Sequence, residues 1–527
     1  MKKLSLITTL IAGFFLITGA FCDCVQAASG PKTGGVLRVI SGEPPAGSIG
    51  IPEKMAGLAD SYTRAMIESL MSANLSGVIS PSLATEWEWS NNNKTLTLTL
   101  RQGVKFHDGS DFNADIVEWN WKQRIAAGVA GSEKIDSIEI LNDFKIRVNL
   151  KEYTNTWIYQ LAGQGAGATL GMMISKSAVE KNGVDWAVWN PVGTGPYKFK
   201  EYKTDEYLEM VRFNDYWGGK TNLDGVKWIF IKDPVTAQLA FEAKEADAIW
   251  MIGQAAKLLN ELVPKGYTPD LFGGLNFNLI PSSGNPDSPW SNEKVRMAAE
   301  YAIDKAKITK SIFHGYAYPR YQCAIKAQPA FDPDFEGRRY NPEKARQLLK
   351  EAGYPRGFNT TLYCGIHLSG DDTTTIQAYL QAVGINAKLE IVSINKWIDL
   401  ESNGWSDGIE VSPQGPAGFG FFLQRYWIRP NQPNWFSGLY WRTLKRSDEL
   451  QNMIMDYFGL ADPAEQKTKS IEIVQYMYDH AVVIPLWEGM DVFMLQPYVR
   501  DTKFGMLPDG SQRGNIGFNY TGAWLDK

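Results

Sequence analysis

Histidine and cysteine are scarce in this chain, with four of each among 527 residues. His107, His314, His367 and His480 stand far apart, and neither a His-x-x-x-His nor a Cys-x-x-Cys spacing occurs, so the sequence offers no local metal site. A phosphate loop of the Gly-x-x-x-x-Gly-Lys-Ser/Thr kind is missing. The glycine-rich Gly193-Thr194-Gly195-Pro196 runs into a strand-like segment, not into the helix N-terminus that would cradle a phosphate. No Gly-x-Ser-x-Gly elbow presents a nucleophile. Basic residues form no cluster: 53 Lys and Arg stand against 58 Asp and Glu for a net charge of −5, which excludes the footprint of a nucleic-acid binder. Internal repeats and low-complexity tracts are absent, and past the N-terminal stretch no run is apolar enough to cross a bilayer. These absences argue against an enzyme built on a local nucleophile or metal motif. They leave open a secreted hydrolase whose two carboxylates meet only in space.

What the chain does have is length, an ordinary globular composition and many rings. At 44% hydrophobic and 21% charged it resembles a folded protein, and 527 residues imply two or three packed units. Its 18 Trp, 23 Tyr and 24 Phe exceed the needs of a core and suit a cleft that grips a ligand with flat apolar faces. The N-terminus reads as an export signal. Lys2 and Lys3 precede an apolar stretch over residues 4–21, and Val25-Gln26-Ala27 supplies the small residues of a cleavage site before Ala28. An uncleaved anchor and lipid attachment at Cys22 are the alternatives, although Phe21 and Asp23 precede the two candidate cysteines where a lipobox needs a small residue. Cleavage removes Cys22 and Cys24. The remaining pair, Cys323 and Cys364, is expected to form a disulfide in an oxidising compartment, with two buried free thiols as the alternative.

Strand and helix signals alternate throughout, which makes the fold class α/β. Residues 36–40 and the alternating 95–101 read as strands; 135–141 and 144–150 read as a hairpin turning at Asn142-Asp143. Asp233-Pro234 and Asn341-Pro342 are N-caps followed by proline in the first turn, and Gly353 stops the second helix. Residues 114–125, 291–303 and 373–383 carry further helical patterns.

Four ordered segments carry a resemblance. The first is Pro81-Ser-Leu-Ala-Thr-Glu-Trp-Glu-Trp, continuing through Leu96-Thr-Leu-Thr-Leu-Arg-Gln-Gly-Val-Lys-Phe-His-Asp-Gly-Ser to Ala114-Asp115. The second is Pro191-Val-Gly-Thr-Gly-Pro-Tyr-Lys-Phe with Phe213-Asn-Asp-Tyr-Trp-Gly-Gly-Lys and Leu223-Asp-Gly. The third is 292–304, with Val295-Arg296 and Tyr301-Ala-Ile-Asp; the fourth is Tyr340-Asn-Pro-Glu-Lys-Ala-Arg-Gln-Leu-Leu-Lys-Glu-Ala-Gly-Tyr. In order and spacing the chain resembles the family-5 extracellular solute-binding proteins, the dipeptide, oligopeptide and nickel receptors of ABC importers.

The resemblance implies a type II periplasmic-binding-protein fold, with two lobes that close by a hinge over a central cleft. Residues 1–27 would be the signal peptide and 28–34 a flexible tail. One lobe would comprise 35–75, 189–272 and 494–527, with 76–188 as an extra domain, and the second lobe 273–493. The crossings fall near 272–279 and 484–495, both extended and apolar. The implied role is that of an exported, periplasmic or extracellular receptor without cofactor, monomeric, which hands a small solute to a membrane permease.

Two departures bear on the solute. Dipeptide receptors hold the peptide ammonium with an Asp-Pro-Asp-like segment, where this chain has Glu410-Val-Ser-Pro-Gln-Gly-Pro-Ala-Gly-Phe-Gly-Phe-Phe. They pair the peptide carboxylate with an Arg, where this chain has Leu362-Tyr-Cys-Gly-Ile-His-Leu-Ser-Gly. Loss of both charged anchors argues against a free dipeptide; the resemblance implies an oligopeptide or peptide-like solute, with an oligosaccharide or another uncharged organic solute as the alternative. Nickel lacks a preformed ligand set. Candidate contacts are Glu43 in the turn after the first strand, His367, and a possible aromatic wall over 405–441 comprising Trp405, Gln414, Phe419, Trp427, Arg429 and Trp435. Each ring there reads equally as core, and Glu43 equally as a solvated loop charge.

Overall fold

The computed structural model describes residues 30–527 except 57, 164–167, 252, 367, 369, 416, 430–440, 508–509 and 514–516. The leader, Cys22, Cys24, His367 and Trp435 lie outside the described residues. Among the described residues the largest sheet has eleven strands. In chain order they are β1 (Val36–Ser41), β2 (Tyr197–Lys203), β3 (Tyr207–Arg212), β4 (Gly225–Phe230), β5 (Ala248–Trp250), β6 (Thr268–Pro281), β7 (Ala317–Pro319), β8 (Phe358–Gly365), β9 (Ile385–Val392), β10 (Ile409–Gln414) and β11 (Ile484–Leu495). Their spatial order is β2-β3-β4-β1-β5-β11-β6-β10-β8-β9, with β7 also on β11.

Two half-sheets are joined through two long strands. β1 lies between β4 and β5, parallel to both, and is apolar on both faces: Leu37 and Val39 face one core, Ile40 another. β8 is parallel to β9 and β10 in the other half. β6 and β11 run antiparallel through both halves. β11 meets β5 at Ala248–Leu495, and β6 meets β10 from Asn276–Gln414 to Pro281–Ile409. Their mutual register slips between Gly273 and Asn276 and again between Phe277 and Asn278, and such irregularities bend a strand. The irregularities of the crossing are thus confined to two short stretches of otherwise continuous strand. Helices Pro234–Glu242 and Ala255–Leu262 cover one face of the first half; Glu293–Ala302, Pro342–Glu351 and Asp371–Gln381 cover the second. Asp233 and Asn341 cap their helices as the sequence indicates, accepting from Thr236 N and Lys344 N, which contributes about 1 kcal/mol each. Among the described residues no helix is long and apolar enough to cross a membrane.

A separate antiparallel sheet, ordered Ala84–Ser90, Thr95–Leu100, Lys145–Leu150, Ile135–Asn142, packs with helix Ala114–Ala126 over its own core, which includes Leu96, Leu98, Trp121 and Trp157. This small domain is tied to the first lobe by the segments that carry the resemblance. Glu68 accepts from Thr194 Oγ1 (2.7 Å), Tyr216 Oη (2.9 Å) and Trp217 Nε1 (2.8 Å), and burial pushes its carboxyl up to about 7. His107 Nε2 donates to Gly195 O (3.0 Å), while Nδ1 accepts weakly from Gly193 N. Burial holds this imidazole down to about 4, so it is neutral. A Cβ on Gly193 would lie 2.1 Å from Met66 O, and one on Gly195 2.5 Å from Ala65 O. Close backbone approach, not turn freedom, requires these two glycines. Tyr216, Trp217 and His107 are thus scaffold.

The expected disulfide does not form. Cys323 and Cys364 are both buried free thiols, and they belong to different cores, Cys323 with Tyr426 and Trp427, Cys364 with Leu362 and Ile376. Burial pushes the thiols up to about 12 and about 11. Ellman's reagent is expected to modify neither in the native protein and both after unfolding, and a reductant to leave the melting temperature unchanged. A reductant-dependent loss of stability would restore the bridge.

Candidate ligand cleft

The expected cleft would fall where β6 and β11 pass from one half of the sheet to the other. From the first lobe, the chain leaves β1 into Gly42–Glu43. Tyr62 fixes this turn, its hydroxyl 2.8 Å from Ser41 Oγ and donating to Glu43 O. The Glu43 side chain is exposed, and partial burial of its surroundings raises the carboxyl above the ordinary range. At the end of β5, Trp250 Nε1 donates to Asp491 Oδ2 on β11 (3.0 Å), and burial pushes Asp491 up to about 6. This bond holds the lobe-1 rim to the crossing strand.

From the second lobe, the hinge end of β6 and β10 presents amides. Asn276 and Gln414 are register partners. Asn278 Nδ2 donates to Gln414 Oε1 (3.1 Å), and Asn278 Oδ1 accepts from Arg320 Nη1 (3.3 Å). Glu488 stands opposite both Asn276 and Tyr318 and accepts weakly from Lys326 N. All of Asn276, Asn278, Arg320, Gln414 and Glu488 are buried, yet Asn276 Oδ1, Gln414 Nε2 and Arg320 Nε have no hydrogen-bond partner. Each orphaned group costs about 1–3 kcal/mol, which a solute or hydration on opening would relieve.

Further along the same face of β10 as Gln414 lie Ser412 and Glu410. Ser412 donates to Glu401 of helix Ile394–Asn403 and accepts from Trp441 Nε1 (2.8 Å). Both Glu410 carboxylate oxygens lack a hydrogen-bond donor; burial raises the Glu401 carboxyl to about 7, and burial together with the neighbouring Glu401 raises that of Glu410. Arg425 is the cation nearest in influence. Carboxyls so raised keep their protons further toward neutral pH than they would in the unfolded chain.

The residues of the expected aromatic wall are dispersed in the structure. Trp427 is 0% exposed, inside a cluster with Phe422 and Trp441. Trp405 precedes the Pro281 end of β10, away from Asn276, and lines a surface hollow beside Asn285 and Arg442–Lys445. Arg429 is used within the lobe, donating to Arg446 O and pairing with Asp448. Phe419 packs against Phe422 and Tyr457. Of the sequence candidates among the described residues, Gln414 and Glu43 alone stand at the crossing. Asn276, Arg320 and Glu488 were not singled out by sequence, although Asn276 and Asn278 interrupt an apolar strand at a spacing of two.

The family model for bacterial extracellular solute-binding proteins, family 5 Middle, matches residues 78–444. The chain belongs to this family. Among curated family-5 relatives, a glutathione-binding protein GsiB of Salmonella paratyphi A is 30% identical over 357 residues, a match spanning 63% of this chain and 65% of that relative. The substrate-binding protein CtaP of Listeria monocytogenes has the same fold, with a TM-score of 0.79 at 21% identity over 94% of this chain and 100% of that one. So does the periplasmic binding protein DppA of Helicobacter pylori, solved with the peptide STSA, at a TM-score of 0.75 and 23% identity over 94% and 99%. The solved relatives are binding proteins of the two-lobed type, as the sequence led us to expect.

Proposed function

We propose that this chain is the exported substrate-binding component of an ABC-type importer, which captures an oligopeptide or peptide-like solute between its lobes and delivers it to a membrane permease. The observation that carries this is the buried, unpartnered pair Asn276 Oδ1 and Gln414 Nε2 at the crossing: one acceptor and one donor, the complement of a peptide group. Family membership and relatives named for glutathione and peptide support it. Arg320 and Glu488 stand behind the amides, and Glu43 closes the lobe-1 side toward a cationic group. The role proposed is binding, which the names of the family and of the relatives support.

Native mass spectrometry of protein purified without refolding is expected to release a peptide-like mass, and Gln414→Leu to weaken its rebinding by about 1–3 kcal/mol, roughly 5- to 150-fold. Steady hydrolysis of peptides by the purified protein, or an unaltered affinity in Gln414→Leu, would overturn the assignment.

A further inference from the structure

The small domain and the second lobe also meet away from the crossing. Asn155 N donates to Phe458 O (2.9 Å) and Asn155 Nδ2 to Tyr457 O (2.6 Å). Gln424 Nε2 donates to Thr156 Oγ1 (2.8 Å), and Ser76 Oγ to Ala327 O (2.9 Å). Between these bonds the seam encloses a hollow of about 320 Å³. Its volume falls within the range of small-molecule pockets. Trp87, Trp89 and Tyr153 line it from the small domain, and Phe419, Phe421 and Tyr457 from the second lobe. Trp87 and Trp89 sit opposite Leu98 and Leu96, so one edge of each ring is held by the domain core while the ring also borders the hollow. Asn155 lines the hollow too. It is 5% exposed, and its Oδ1 has no hydrogen-bond partner.

Aromatic walls around empty space forfeit the dispersion contacts that flat rings make with a filling ring. A buried carbonyl oxygen without a donor adds a second unmet demand at the same place. Because the walls come from two bodies, the hollow exists only while the lobes are together, and anything filling it holds them so.

We propose that this seam is a second binding site, taking a planar aromatic group that carries a hydrogen-bond donor, as a phenol or an indole does. The ring stacks among the six aromatic side chains, and its donor reaches toward Asn155 Oδ1. The ring comes either as a free aromatic molecule or as the side chain of an aromatic residue in a longer peptide. Occupancy favours the closed arrangement and so tightens the cleft for its own solute. Leu75, another wall residue, donates its amide to Gln512 O (3.1 Å), and Gln512 Nε2 donates to Gly273 O (3.1 Å) on β6 at the register slip, which gives a physical route to the hinge.

The test uses p-cresol on the full chain, which reads the seam whatever the cleft binds. Ligand-observed NMR is expected to show saturable p-cresol binding, and scattering a smaller radius of gyration at saturation. Ala461 is exposed at the rim of the hollow, so Ala461→Phe fills the space without touching a core and is expected to weaken p-cresol at least tenfold. Should that variant fail to fold, 4-bromophenol soaked into wild-type crystals gives an anomalous bromine peak between Trp89 and Tyr457. Displacement of p-cresol by Gly-Gly-Tyr but not Gly-Gly-Gly assigns the ring to a peptide; retention under both assigns it to a free molecule, and either supports the site. No saturable binding, equal binding by Ala461→Phe, or a bromine peak elsewhere would overturn it.

Discussion

Glu410→Gln is expected to raise stability at pH 8 while changing it little at pH 4.5. Glu401 and Glu410 are buried together, and Glu410 has no hydrogen-bond donor of its own. Both carboxyls are raised above their unfolded values, so the folded protein holds a proton that the unfolded chain would release. Protein with the protonated pair is stable below the ordinary carboxylate range, and that stability is lost as pH rises from there across neutrality. An amide at position 410 removes the charge that must otherwise be buried or neutralised and keeps a group able to bond Glu401. Urea unfolding of both proteins between pH 4.5 and 9 measures the difference directly. Other raised carboxyls, Glu68 and Asp491 among them, tilt both curves alike, so the pair is read from the gap between them. Parallel curves would show that the Glu410 carboxyl is not raised in the folded protein.

Trp427→Ala should cost about 3–5 kcal/mol in folding free energy and leave solute affinity per folded molecule unchanged. The ring is fully enclosed, 5.6 Å from both Phe422 and Trp441, and Gln451 Nε2 donates to its backbone carbonyl (3.0 Å). Truncation leaves a large cavity in a core whose neighbours are themselves bulky rings that cannot collapse into it. Denaturant unfolding together with calorimetric titration, normalised to folded protein, separates the two effects. A stable variant that had lost its solute would return Trp427 to the cleft.

The contrast between these residues and the crossing shows what the chain discloses before it folds. Period-two alternation marked Thr95–Leu100 and the hairpin at Asn142–Asp143, and cap chemistry marked the helices at Asp233 and Asn341, because both signals are local. The crossings at β6 and β11 were legible as apolar extended runs through the family resemblance. The ring-rich stretch around Trp427 was not, since an aromatic residue satisfies a core and a cleft equally and only tertiary packing decides. Cys323 and Cys364 likewise end in different cores, a separation no spacing along the chain encodes. Glu401 and Glu410, nine positions apart on a helix and a strand, become a pair only when helix Ile394–Asn403 folds back on β10. Gln414 was reached by sequence, through the missing Asp; its register partner Asn276 needed the sheet.

β11 is the last long strand in the chain and lies between β5 and β6, in the middle of the largest sheet. During synthesis from the N-terminus each half can pair among its own strands, but β5 and β6 are joined only through β11, so the two halves cannot unite until residues 484–495 are available. Pairings this distant form slowly, because the long intervening loops must be ordered first. The two halves can therefore form first as separate pieces, with the seam between them as the late event. A single strand then links the two halves, so their docking waits on residues 484–495.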